Sequence, residues 1–248
     1  MTNCVICGEN RVKRLFMKNG YSLVKCENDG HKYISNPPNI EELTKLYSSQ
    51  YFEGSSLSGY KHNIFEDSKT QLKRAAKRLD KLKKFMKFGK VLDVGCGPGF
   101  FVAMSNEDFQ IGGVDISRAA QEYAESSFGA KIWLGDFLGY PACEESYDVV
   151  TMFSHLEHTI NPRKDLEKAR EILNPSGLLV LSLPNIDGIP RLLQGKLWRG
   201  FSFPEHLHFF NRRNLSQLLQ ETGFYPVKSS YAENNVFRDT NYFYARKR

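Results

Sequence analysis

Nowhere in its 248 residues does the chain approach the ~20 consecutive apolar residues that a membrane-spanning helix requires. Residues 1–10 carry two cysteines in place of an apolar leader, so the sequence reads as cytoplasmic. Internal repeats and low-complexity stretches are absent, which excludes a solenoid. Cysteine is sparse and odd in number: Cys4, Cys7, Cys26, Cys96 and Cys143. That count argues against a disulfide framework and for thiols or metal ligands. No charge of one sign dominates. The net charge of +6 permits an anionic partner, such as a nucleotide sugar or RNA, without demanding one.

What is present suits one large α/β domain with a small appendage. Residues 1–38 hold three cysteines and short β-like runs such as 21–25, and Pro37-Pro38 ends this module. Residues 39–89 read as a helical cap, with Leu72, Ala75, Ala76, Leu79, Leu82 and Met86 at helical spacing. From residue 90 onward strand and helix alternate. Strands are expected at 91–94, 111–114, 131–134, 148–153 and 178–183, with helices at 100–107, 117–127 and 163–173 between them. Residues 184–210 break the rhythm as a lid or insertion. A helix at 214–222, stopped by Gly223, precedes closing strands at 224–231 and 242–246. The expected fold is a Rossmann-like, doubly wound, mostly parallel seven-stranded sheet with an antiparallel edge strand, plus the cysteine-bearing β module.

The segment Val91-Leu-Asp93-Val-Gly95-Cys96-Gly97-Pro-Gly99-Phe100 ends a strand in a glycine-rich turn, where a ligand can approach bare backbone. Phe100 stands where the dinucleotide fingerprint takes Gly or Ala, which disfavours a pyrophosphate. Asp93, two residues before the loop, suits an ammonium group and repels a phosphate. Asp115, 20 residues beyond Gly95, can accept both hydroxyls of a ribose. Together they describe a cationic nucleoside without phosphate. Glycines that only make tight turns are the plainer reading. Against it, the loop, Asp115 and Asp136 fall at the ends of three successive strands, the ligand edge of a doubly wound sheet.

On these residues, with Gly135-Asp136-Phe137, 148–162 and 173–185, the sequence resembles the class I S-adenosylmethionine-dependent methyltransferases over roughly 88–248. The resemblance implies that Asp93, Gly95, Cys96, Gly97, Gly99 and Phe100 surround the methionine part of S-adenosylmethionine. It implies that Asp115 holds the ribose, Ile116 and the Phe137 backbone meet the adenine, and Asp136 accepts from its amino group. Phe153, Ser154 and His155 would line the sulfonium side. Either Tyr51 or Tyr60 would touch the cofactor carboxylate or simply pack.

Methyl transfer is an in-line displacement that needs alignment and, for a protonated nucleophile, a base. Four of the six histidines fall in two clusters, Ser154-His155-Leu-Glu157-His158 and His206-Leu-His208-Phe-Phe210. His158, His206 and His155 are the candidate bases, each weighed against a structural role in a loop. Glu157-His158 resembles the Glu-His pair of small-molecule methyltransferases, the ubiquinone O-methyltransferases among them. Members that bind a metal there carry another Glu where this chain has Ser154. Trp198, Phe201, Phe203, Phe209 and Phe210 either wall the acceptor or pack the inserted segment.

Cys4-x-x-Cys7, Cys26 and His31 form a plausible zinc set, with Gly8 fitting a zinc knuckle. The usual second C-x-x-C-G of such modules here reads Cys26-x-x-Asp29-Gly30-His31, so Asp29 is the alternative fourth ligand. Between Lys69 and Lys90 ten basic residues face one acidic residue, Asp80, which a solvated helix face explains as readily as RNA does. In this N-terminal module, Glu157-His158-x3-Pro162, Leu183-Pro184-Asn185, and His206-Leu-x-Phe-Phe before a helix and Gly223-Phe224, the sequence resembles the enzymes that methylate sugars or nucleotide sugars, which implies a small-molecule acceptor of that type. The zinc-bearing ribosomal RNA methyltransferases are the alternative, although no Asn-Pro-Pro-Tyr-type tetrapeptide follows strand four. A non-catalytic binding module is the third reading.

Overall fold

The computed structural model describes residues 3–54, 63–141, 146–227 and 239–248. Tyr60, Cys143 and residues 228–231 of the expected closing strand lie outside them. In chain order the elements are β1 (Val12–Lys18), β2 (Tyr21–Cys26), β3 (Lys32–Ile34), α1 (Ile40–Leu46), α2 (Ser49–Phe52), α3 (Ser68–Leu82), β4 (Gly89–Val94), β5 (Phe109–Asp115) and α4 (Arg118–Phe128). They continue with β6 (Ile132–Leu134), β7 (Tyr147–Phe153), α5 (Pro162–Ile172), β8 (Leu173–Pro184), α6 (Ile189–Gln194), β9 (His208–Phe209), α7 (Arg212–Glu221), β10 (Phe224–Pro226) and β11 (Thr240–Lys247). No described helix is long and apolar enough to cross a membrane.

A seven-stranded sheet runs in the order β10-β11-β8-β7-β4-β5-β6, as expected. Strand β4 pairs in parallel with β5 and with β7, β5 pairs in parallel with β6, and β10 and β11 are antiparallel. Chain order reverses at β4, so the carboxyl ends of β4 and β7 border the topological switch point where such sheets bind ligands. A four-stranded sheet has the order β1-β2-β3-β9. The chain forms two compact units, Glu41–Phe153 with Ile172–Leu178, and Met1–Ile40 with Ser154–Glu171 and Leu179–Arg248.

In the first unit Val91, Leu92, Val94, Val149, Val150 and Met152 are all buried. Such near-continuous apolar strands are what a parallel sheet covered on both faces requires. Helix α4 starts where the Ser117 hydroxyl accepts from the Ala120 N–H and ends at left-handed Gly129. The helix expected over 100–107 is instead one 3-10 turn at Val102–Met104. Asn106 is the physical reason. Its side-chain carbonyl takes the N–H groups of Asp108 and Phe109, and the Ser105 hydroxyl takes that of Ile111, so side chains compete with the helical ladder. Along α3 the expected stripe buries Ala75, Leu79 and Leu82, while Lys73, Arg74 and Lys77 face water. Tyr51 is buried beside Tyr47 and Phe52.

In the second unit Asn19-Gly20 joins β1 to β2, both at positive φ (52° and 80°), the backbone that a two-residue hairpin demands. The segment 184–210 is less irregular than its composition suggests. It contains α6, and β9 closes it by pairing antiparallel with β3, Tyr33 opposite His208. Trp198, Phe201, Phe203, Phe209 and Phe210 are all buried, and Phe16 stacks into the group against Phe201 and Phe203. Strand β8 begins at Leu173, five residues before the turn-derived start at Leu178. A reciprocal capping box between Asn211 and Asn214 starts α7, and Gly223 at φ 83° follows its end.

Candidate active site

The glycine loop leaves β4 through three left-handed glycines, Gly95, Gly97 and Gly99, at φ 67°, 53° and 74°. Each has a different neighbour. A β-carbon on Gly99 would lie 2.8 Å from the Ala124 methyl of α4, so this glycine lets the loop pack on the helix. Among the described residues a β-carbon on Gly97 would meet nothing closer than the Phe52 ring at 3.8 Å, so here the backbone is bare. The Gly97 N–H donates to Asp115 Oδ2 at 2.8 Å, and the Ser117 N–H donates to Oδ1 at 2.9 Å. One backbone donor on each oxygen fixes the plane of the Asp115 carboxylate at the carboxyl end of β5. The loop and the start of α4 are thereby tied to the same side chain.

Asp93 is buried at the end of β4 and accepts from the Thr151 hydroxyl at 2.5 Å across the β4–β7 pairing. Thr151 was not expected, because a polar residue inside an apolar strand carries no motif. Phe100 packs its ring beside Tyr123 and Phe128 of α4. The Cys96 sulfur occupies the space that Gly113 leaves by lacking a side chain, and burial pushes its thiol well above the ordinary range. Ile116 is half-buried, Asp136 is exposed at the start of a 3-10 turn, and Phe137 in that turn is buried. Phe153, ending β7, meets Phe101 edge-on, and the Arg78 guanidinium lies 4.2 Å from its ring centroid.

The histidines belong to the other unit. Ser154 opens it at φ 55°, a left-handed conformation uncommon for a side-chain-bearing residue and concentrated at functional sites. His155 Nε2 lies 2.8 Å from Asp165 Oδ2, a buried carboxylate in the first turn of α5. His158 and His206 meet edge to face with ring centroids 4.7 Å apart. Burial holds His158 well below its ordinary value, with the neighbouring His206 adding to it, and burial brings His206 down to about 4. Both rings are therefore neutral at pH 7. His206 Nδ1 lies 2.7 Å from the Gly200 carbonyl, which only accepts, so Nδ1 carries the proton and Nε2 the lone pair. Beside them lies Glu157, 1% exposed, whose carboxyl burial pushes up to about 8. By strict hydrogen-bond geometry neither of its carboxylate oxygens has a partner among the described residues, although the Ser154 side chain is near enough to act on the carboxyl, and His158 Nε2 is 3.8 Å from Oε1, beyond hydrogen-bond reach.

At the N-terminal end the ligand atoms of Cys4, Cys7, Cys26 and Asp29 lie within 4.8 Å of one another. The Cys4 thiol donates to Asp29 Oδ2 at 3.0 Å, and the Cys7 and Cys26 sulfurs are 3.6 Å apart. The knuckle closes through the Gly8 N–H on the Cys4 carbonyl, with Gly8 at φ 77°. The Arg163 guanidinium braces it by donating to the carbonyls of Val5 and Ile6. His31 is not among the four. Its N–H donates to Asp29, while its ring is stacked on His208, with Nε2 3.2 Å from His208 Nδ1. The tight turn at Gly30, whose N–H bonds the Cys26 carbonyl, brings Asp29 back to the sulfurs and carries His31 on toward β3.

Residues 60–229 match the family model described as a methyltransferase domain. Over 111 residues the chain is 35% identical to the ubiquinone biosynthesis O-methyltransferase of Actinobacillus pleuropneumoniae, covering 40% of this chain and 47% of that protein. It thus spans about half the length of that curated relative. Among solved structures it resembles a S-adenosylmethionine-dependent methyltransferase, possibly a histamine N-methyltransferase, from Thermotoga maritima. The TM-score is 0.57 at 18% identity, covering 75% of this chain and 96% of that one. It also resembles an amino pentose methyltransferase from Micromonospora echinaspora solved with bound S-adenosylmethionine. There the TM-score is 0.51 at 16% identity, covering 72% of this chain and 92% of that one. At these identities the structures establish the fold, and the family match, which takes in more than half of the residues, establishes the lineage: the chain belongs to the methyltransferase-domain family.

Proposed function

We propose that the protein transfers a methyl group from S-adenosylmethionine to a small-molecule acceptor, of sugar or nucleotide-sugar type. One observation carries the cofactor half. The Asp115 carboxylate is locked by the N–H groups of Gly97 and Ser117 beside a glycine that presents bare backbone. Asp93 behind the loop adds a second acidic group, which favours a cationic ligand and opposes a phosphate. In this reading Asp115 takes the ribose hydroxyls, Gly95, Cys96, Gly97, Gly99 and Phe100 surround the methionine part, and Asp136, Ile116 and Phe137 meet the adenine. Phe153 and Ser154 lie toward the sulfonium.

The acceptor attacks the methyl carbon with a lone pair, the carbon–sulfur bond breaks, and sulfur keeps that electron pair, leaving S-adenosylhomocysteine. An acceptor that starts as a hydroxyl or amine must also lose a proton. We assign that task to His155, His158 and His206, of which the last two are neutral at pH 7 and His155 is oriented by Asp165. The sugar-type acceptor rests on the motifs of the sequence and on likeness to an amino pentose methyltransferase. Calorimetry with S-adenosylhomocysteine tests the reading. Micromolar binding to the wild type supports it, and a protein that ignores this nucleoside refutes it.

We propose further that Cys4, Cys7, Cys26 and Asp29 hold a structural zinc. Three sulfurs and one carboxylate around one point suit tetrahedral coordination. Burial pushes the Cys4 thiol far above its ordinary value. Burial alone would raise Asp29 too, but hydrogen bonds from the Cys7 and Cys4 thiols hold it below its usual range. Bound zinc would deprotonate the thiols and tie the knuckle to β2. Metal analysis decides it: one zinc fewer per chain in Cys4→Ser than in wild type is expected, and metal-free wild type rules it out. RNA as substrate draws support from the exposed lysines of α3 alone. It requires affinity that falls steeply with salt, and no RNA binding at low salt dismisses it.

A further inference from the structure

We propose that Glu157, His158 and His206 form a second cation site, binding one divalent first-row transition-metal ion. This goes beyond the methyltransferase reading and does not depend on it; a cation held by the imidazoles of His158 and His206 leaves His155 as the base. The three ligand atoms lie within 4.8 Å of one another, and all three residues belong to one compact unit. Two ligands each ~2.1 Å from a cation stand roughly 3.4 Å apart in a tetrahedron, so the 3.8 Å between Glu157 Oε1 and His158 Nε2 needs only a small contraction.

Three features point to a cation and not to a packed polar core. Glu157 is fully buried and neither of its oxygens has a well-formed hydrogen bond among the described residues, an arrangement that is costly when the group is ionised. Its two neighbours in the cluster are imidazoles, side chains that share a cation with a carboxylate. The Gly200 carbonyl holds the Nδ1 proton of His206, the outer-shell arrangement that aims a ligating imidazole through Nε2.

Two imidazoles and a carboxylate suit zinc, iron(II), cobalt or manganese, and three protein ligands leave a position open to water or an oxygen donor. His155 stays outside the set, beside Asp165. The spacing within the chain hides the site, because 48 residues separate His206 from His158. Seen along the Glu157-His158 segment alone, Ser154 looks like a missing ligand. In space His206 supplies the third one.

Cobalt(II) titration of the full-length protein, followed by calorimetry and absorption, tests the proposal. Cobalt on thiolates gives an intense charge-transfer band, and cobalt on imidazole and carboxylate does not. We expect one equivalent without that band, weakened at least ~100-fold in Glu157→Gln and in His206→Gln and retained in Cys4→Ser. Metal-free Glu157→Gln should unfold at or above the wild-type temperature, so its loss of cobalt is not a loss of fold. Should that variant misfold, His206→Gln carries the test. Absence of the band-free equivalent from wild type, or equal affinity in the variants, overturns the proposal. Binding of S-adenosylhomocysteine, measured on the same samples, reports separately on the cofactor reading.

Discussion

The carboxylates of the glycine loop and that of the histidine cluster are held in opposite ways. Asp93 has the Thr151 hydroxyl, and Asp115 has one backbone N–H on each oxygen. Glu157 is as deeply buried as Asp93, yet among the described residues no well-formed hydrogen bond reaches either of its oxygens. Native proteins satisfy nearly all buried polar groups, so an orphan carboxyl signals something the polypeptide alone does not provide. The glycine loop is finished by its own hydrogen bonds and needs a ligand only for function. The cluster leaves its buried carboxyl to a proton or to a cation.

The largest effect should come from breaking the finished side. Asp115→Ala removes the acceptor for the Gly97 and Ser117 N–H groups together with the carboxylate proposed to take the ribose. S-adenosylhomocysteine affinity should fall at least ~100-fold, since two charge-assisted hydrogen bonds are worth roughly 1.5–3 kcal/mol each. Excess ligand should then no longer raise the melting temperature, as a native-state ligand otherwise must. If Asp115→Ala binds as wild type does, the carboxylate only shapes the loop.

The unfinished side predicts a pH effect in chelator-treated protein. The Glu157 carboxyl, at about 8 in the fold against 4.5 ordinarily, is protonated in the folded state where the unfolded chain has already released the proton. The folded state therefore binds more protons between pH 4.5 and 8, and this group's contribution makes stability decline as pH rises through that window. Glu157→Gln removes the dependence. The variant should match wild type near pH 4.5 and exceed it above pH 8 by on the order of 4 kcal/mol. Denaturant titrations across that range check it, and parallel curves would mean that Glu157 is already partnered.

The two sides also differ in how legible they were. The glycine loop, Asp115 and the parallel strands lie in contiguous motifs, where one strand, one turn and one spacing carry the information. Helix α4 was readable from Ser117 for the same local reason. The short turn after the loop was misread because Asn106 and Ser105 redirect the backbone through their side chains. Their presence before Phe109 was the signal available. Strand β9 and the role of His31 depend on pairings between residues more than 170 positions apart, β3 with β9 and His31 with His208. Hydrophobic periodicity holds no record of such pairings. Asn19-Gly20, by contrast, is a local signal for the β1–β2 hairpin that the sequence-based expectations left out.

The glycine loop itself holds the smallest and sharpest contrast. Both Gly97 and Gly99 are left-handed, so alanine at either costs ~1–2 kcal/mol through the backbone. At Gly99 the added methyl would also lie 2.8 Å from Ala124 and 3.1 Å from Ile132, so strand or helix must move and a further ~1–3 kcal/mol is expected. At Gly97 the methyl finds space, 3.8 Å from Phe52, and adds nothing beyond the backbone cost. The same space is where we place the cofactor's methionine part. Gly97→Ala should therefore be the more stable of the two and the weaker binder of S-adenosylhomocysteine, and Gly99→Ala the reverse. If affinity instead tracks stability across the pair, Gly97 is a turn residue and the ligand lies elsewhere along the sheet edge.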